Sequence, residues 1–120
     1  MGSWNYPVNT LSPFVSAITA GNAVMIKPSE FAPNTSHCMK RLFDKYLDQR
    51  YYRCIEGAVK TGIKLTSTPF DIICFTGSTH TGKLIAKAAS EHLTPCILEL
   101  GGKCPAIVDR SADLILAAKR

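Results

Sequence analysis

Phe70-Asp71-Ile72-Ile73-Cys74-Phe75-Thr76-Gly77-Ser78-Thr79-His80-Thr81-Gly82-Lys83-Leu84-Ile85 changes its hydrophobic period part-way along, and that change decides the fold. Phe70 to Phe75 is a short apolar run of the kind that forms a buried strand. Thr76-Gly77-Ser78 closes it. From Thr81 to Ser90 the apolar positions Leu84, Ile85, Ala88 and Ala89 recur at helical spacing. A strand, a glycine-bearing loop and an amphipathic helix in succession make half of a parallel crossover unit.

The same alternation extends outward in both directions. Thr10 to Ala20 has helical spacing at Leu11, Phe14, Val15 and Ile18, and Gly21-Asn22 stops it. Ala23-Val24-Met25-Ile26 reads as a buried strand ending at Lys27-Pro28-Ser29-Glu30. A second helix is expected to start near Asn34 or Thr35, either of which can cap it, and to run through Met39, Leu42, Phe43 and Tyr46. Tyr52 to Ile55 is a strand candidate and Thr61 to Thr66 a short helix. Downstream, Cys96 to Leu100 and Ala106 to Val108 read as strands and Ala112 to Lys119 as a final helix. Buried strands alternating with amphipathic helices predict an α/β fold with a doubly wound parallel sheet.

The chain has 120 residues, 46% hydrophobic and 19% charged, which suits one globular domain at most. Its formal charge is +5, but the 14 basic residues are scattered and no basic stripe carries interleaved aromatics. Nucleic-acid binding is therefore not expected, whereas a mild preference for anions is. The five cysteines form no CxxC pair, which argues against a metal site or disulfide framework and for a reducing, cytoplasmic setting. No apolar run is long enough to span a bilayer.

Three segments carry chemistry. The loop Gly77 to Gly82, ahead of a helix N-terminus, brings backbone N–H groups and the helix dipole to a phosphate. It nearly matches the G-x-x-x-x-G-K-[ST] pattern, but Leu84 stands where the magnesium-ligating hydroxyl belongs. Lys27-Pro28-Ser29-Glu30 lies at a strand end, where such sheets bind adenosine; Glu30 can accept from ribose hydroxyls and Lys27 can donate to them. In Leu98-Glu99-Leu100-Gly101-Gly102-Lys103, apolar flanks predict a poorly hydrated Glu99 with the raised pKa of a general base. The two glycines are expected to turn the chain tightly.

With Trp4-Asn5-Tyr6-Pro7 and Gly21 to Glu30 in the same order, these segments resemble the aldehyde dehydrogenase superfamily, most closely its class 3, fatty-aldehyde-type branch. The resemblance covers essentially the whole chain. It implies a partial, Rossmann-like NAD(P)-binding domain over residues 1–120, without the domain that carries the nucleophilic cysteine. It also implies that an aldehyde is oxidised through a cysteine thiohemiacetal, with Asn5 stabilising the oxyanion and Glu99 activating water. Cofactor contacts are then implied for Trp4, Lys27, Glu30, Gly77, Ser78, Thr79, His80, Thr81, Gly82, Leu100 and Gly101. NAD is the expected cofactor, with NADP possible, and the parent enzyme is expected to be a homodimer. Relatives tend to have Gly-Val or Arg-Val where His80-Thr81 stands, and a glycine pair near Glu56-Gly57-Ala58. Cys104 precedes Pro105, which predicts an extended backbone there, and relatives carry Ser at this position. The rival reading is a non-catalytic truncated product with residual nucleotide binding.

Overall fold

The computed structural model describes residues 7–119. Helix α1 (Val8–Thr19) leads into strand β1 (Val24–Ile26), helix α2 (Pro33–Tyr46) and strand β2 (Tyr52–Cys54). Helix α3 (Val59–Thr66), strand β3 (Ile73–Gly77), helix α4 (Thr79–Ser90), strand β4 (Cys96–Leu100) and helix α5 (Leu114–Lys119) follow. The fold is α/β with parallel strands joined by helical crossovers. The strands form two ladders, β1 with β2 and β3 with β4, each parallel.

Local chemistry explains where the elements stop. At the end of α1, Gly21 adopts φ 81°, a left-handed turn that costs glycine little. Its N–H donates to Ile18 and that of Asn22 to Ala17, at 2.9 and 3.1 Å, so two orphan carbonyls are satisfied. The start of α2 differs from expectation. Neither Asn34 nor Thr35 caps it, because Pro33 takes the first helical position with Ala32 before it and no side-chain cap. Proline's fixed φ favours that start.

Each ladder has its own core. Phe14 of α1 and Phe43 of α2 meet at 4.8 Å between ring centroids, over Ile26 and Cys54. Tyr52 sets its ring edge-on to Phe14 at 5.9 Å, a favourable aromatic geometry. In β3, burial alternates strictly, so Ile73 and Phe75 face Ile85 and Ala89 of α4. A cleft of about 520 Å³, lined by residues of α1, β1 and β3 among others, lies between the two ladders.

Beyond β4 the chain departs from expectation. Ala106 to Val108 forms no strand, and the final helix begins at Leu114 rather than Ala112. An apolar run becomes a strand only when a neighbour completes its ladder, and β4 pairs with β3 alone. Residues 101–119 are exposed throughout. The radius of gyration is 16.9 Å, against about 13.6 Å for a compact domain of this length.

Candidate active and cofactor-binding site

The chemistry-bearing segments gather at the carboxyl ends of the two ladders, where α/β sheets bind ligands. On the first, Ile26 pairs in register with Cys54, and the Ile55 N–H donates back to the Ile26 carbonyl at 2.8 Å. The two chains thus run on side by side, and Gly57 comes to lie against Lys27.

Lys27 is buried, at 6% exposure, and its ammonium donates three hydrogen bonds of 2.9 Å. The acceptors are the Pro28 carbonyl, the Gly57 carbonyl and Glu30 Oε2. An ammonium has three protons, and here all three are engaged within the chain, one of them on Glu30. The Glu30 side chain remains 30% exposed. Partial burial pushes its carboxyl up, but the hydrogen bond from Lys27, its own backbone N–H and the Lys27 charge outweigh this. The net result lies below the ordinary carboxylate value. Ser36 of α2 fastens the loop from below, its hydroxyl donating to the Ser29 carbonyl at 2.7 Å.

On the second ladder the register sets Thr76 beside Glu99 and Gly77 beside Leu100. Ser78 caps α4: its hydroxyl oxygen accepts from the Thr81 N–H at 3.2 Å and donates to Thr81 Oγ1 at 2.9 Å. The helix starts at Thr79, earlier than expected, so Thr79, His80 and Thr81 form its exposed first turn. No acidic residue occupies that turn, and with the Thr81 N–H taken by Ser78 it is the N–H groups of Thr79 and His80 that are left to an anion. Gly82 is buried, and a Cβ there would sit 2.7 Å from Leu100 Cδ2. This close approach seats the first turn of α4 against the end of β4.

Three expectations are corrected. Glu99 is exposed rather than poorly hydrated. Successive residues in a strand face opposite ways, so Leu98 and Leu100 share one face and Glu99 shares the other with Ile97, itself 49% exposed. Gly101 and Gly102 adopt no positive φ and make no turn. Cys104 is not extended: its φ is 37°, and in the ladder-free stretch after β4 no neighbouring strand imposes an extended backbone. Trp4 and Asn5 lie outside the described residues. The structure thus brings Lys27, Glu30 and Gly57 together at one ladder end. It brings Ser78, Thr81, Gly82, Leu100 and Glu99 together at the other.

Gly57, whose carbonyl meets Lys27, is the residue at this ladder end that the motifs do not single out. Its signal was the Glu56-Gly57-Ala58 departure, and Ala58 itself takes an extended backbone ahead of α3. No cluster suited to a metal ion occurs among the described residues, and no helix among them is long and apolar enough to cross a membrane. Lys83 is exposed on α4 beside Leu84, which offers magnesium no ligand. Magnesium-dependent ATP hydrolysis should therefore be absent and unchanged by Lys83→Ala; a phosphate-release assay that found activity lost in that variant would contradict this.

The chain matches the family described as the aldehyde dehydrogenase family over residues 1–120. It is 48% identical over 121 residues to aldehyde dehydrogenase family 3 member A2 of Rattus norvegicus, covering all of this chain and 25% of the relative. It is 46% identical to the dimeric NADP-preferring aldehyde dehydrogenase of the same species, covering 100% and 27%. A substrate-bound Staphylococcus aureus AldH structure superposes with TM-score 0.84 at 43% identity, over 100% of this chain and 26% of that one. A Mycobacterium tuberculosis aldehyde dehydrogenase complexed with NAD+ gives 0.74 at 36% identity, over 97% and 25%. The chain spans about a quarter of the length of these relatives. A match to the family along the whole chain, on parallel ladders joined by helical crossovers, places the chain in the aldehyde dehydrogenase family.

Proposed function

We propose that residues 1–120 are part of the NAD(P)-binding domain of an aldehyde dehydrogenase that oxidises an aldehyde to a carboxylic acid. The observation that carries this reading is the Lys27–Glu30 pair. Its lysine is buried and fully engaged, while its carboxylate stays accessible at a strand end. Such a carboxylate accepts hydrogen bonds from vicinal ribose hydroxyls. The first turn of α4, from Thr79 to Thr81 with Ser78 as cap, suits the pyrophosphate. Trp4, Gly77, Gly82, Leu100 and Gly101 border the same cofactor.

NAD(P), held by Glu30 and the first turn of α4, would supply the hydride acceptor for an aldehyde carbon to which a cysteine thiolate has added. Asn5 donates its amide N–H to the oxyanion that develops on that addition. Glu99 takes a proton from the water that cleaves the resulting thioester, releasing acid and thiol. Its exposure gives that water a path to the carboxylate. The parent enzyme is a cytoplasmic homodimer in this reading, in keeping with a relative named dimeric. Titration calorimetry of NAD into the chain should show saturable binding of one cofactor; no saturation would contradict the reading.

A further inference from the structure

We infer that Gly57 is a positioning residue for Glu30. Its carbonyl, aimed by a backbone that glycine alone adopts readily, holds the Lys27 ammonium where that ammonium fixes the carboxylate. Gly57 has φ 150°, at the edge of the region side chains avoid. It is also crowded. A Cβ at Gly57 would fall inside the Thr61 side chain on the first turn of α3, 3.0 Å from Thr61 Cγ2. A side chain at this position must therefore move the loop or the helix start, and the carbonyl moves with either.

The consequence travels through one atom. Lys27 Nζ bonds the Gly57 carbonyl, the Pro28 carbonyl and Glu30 Oε2, each at 2.9 Å. Pro28 and Glu30 belong to the same short loop as Lys27, three residues apart at most. Gly57, thirty residues away in sequence, is the anchor outside that loop. Without it the ammonium keeps two acceptors on its own flexible loop and gains a free proton, which water takes. The Lys27–Glu30 ion pair then behaves as a loosely held, part-exposed pair. Other charged groups near the loop leave this balance alone: Glu56 turns toward His37, 3.6 Å away.

That Glu30 meets a ribose rests on the proposed function above; its placement by Gly57 does not. Two measurements separate the claims. The first follows the Glu30 carboxyl carbon by NMR through an acid titration in the full chain and in Gly57→Ala. Its midpoint should lie below the ordinary value in the full chain and move back toward it in the variant. An unchanged midpoint in a folded Gly57→Ala variant overturns the inference. Exchange of the Lys27 ammonium protons in the unsubstituted chain decides the matter should the variant not fold. Slow exchange with a coupling to the Gly57 carbonyl supports the inference, and fast exchange without it overturns it.

The second measurement compares NAD with NADP by calorimetry. A held carboxylate repels a 2′-phosphate, so loosening it should shrink the preference for NAD by about two- to fivefold. A purely structural defect would weaken both cofactors equally, which would overturn the positioning role. Binding of neither cofactor to the unsubstituted chain would overturn the nucleotide reading and leave the NMR result to judge Gly57.

Discussion

Purified as a 120-residue polypeptide and supplied with hexanal and NAD, the chain should generate no NADH above a protein-free control. In the proposed reaction oxidation begins with a thiolate adding to the aldehyde, and none of the five cysteines is built for that step. Burial, with the Glu56 charge adding to it, pushes the Cys54 thiol up to about 11. At neutral pH its thiolate is scarce, and at 1% exposure no aldehyde reaches it. Burial also pushes Cys96 up. Cys74 is half-buried within β3, and Cys38 sits on α2, remote in topology from Glu99 on β4. Cys104 is exposed and lies five residues after Glu99, which makes it the tempting nucleophile. Its left-handed backbone, at φ 37°, sits in a stretch that is exposed throughout and follows the last strand. Peptide mass spectrometry after a quench should find no acyl group on any cysteine. An NAD-dependent acyl adduct on Cys104 would show that this chain assembles its own active site.

The contrast between Glu99 and β4 as a whole shows which features a sequence makes legible. Cys96 to Leu100 is a strand over the expected residues, because a short apolar run between a proline and glycines has few alternatives. The exposure of Glu99 followed from the same strand and was still misread. Flanking leucines suggest burial along the chain, whereas a strand sends neighbours to opposite faces. Periodicity also located α4 and α1, but capping chemistry set their limits, since Ser78 caps α4 so that it starts at Thr79, two residues before the expected Thr81. That Lys27 and Glu30 share a strand end was legible, but the ion pair between them was not part of that reading. The third anchor of Lys27 was not legible either, because the Gly57 carbonyl is a backbone atom thirty residues away and carries no residue-type signature. The strand expected at Ala106 to Val108 failed for a related reason: pairing is a property of two segments, and one alone cannot announce its neighbour.

Replacing Glu30 with alanine should weaken NAD binding by about 1.5–3 kcal/mol, the worth of hydrogen bonds to a charged acceptor. In affinity this is about ten- to 150-fold. The lost carboxylate would also have opposed a 2′-phosphate, so the same substitution should cost NADP less. Its pH dependence follows from the direction of the Glu30 shift. The folded carboxyl titrates below its ordinary value of 4.5, so its contribution to stability is complete above pH 4.5 and falls away only as pH drops through the lower, folded value. Near neutral pH, a modest change in buffer pH should leave the Glu30 contribution untouched.

Calorimetry at neutral pH, with NAD and NADP titrated in turn into the chain and its Glu30→Ala variant, puts this assignment to its most direct test. The carboxylate at the end of β1 predicts a large loss for NAD and a distinctly smaller one for NADP. Equal losses for the two cofactors, or no loss for either, would contradict a ribose contact at Glu30 and, with it, the placement of the nucleotide across these ladder ends.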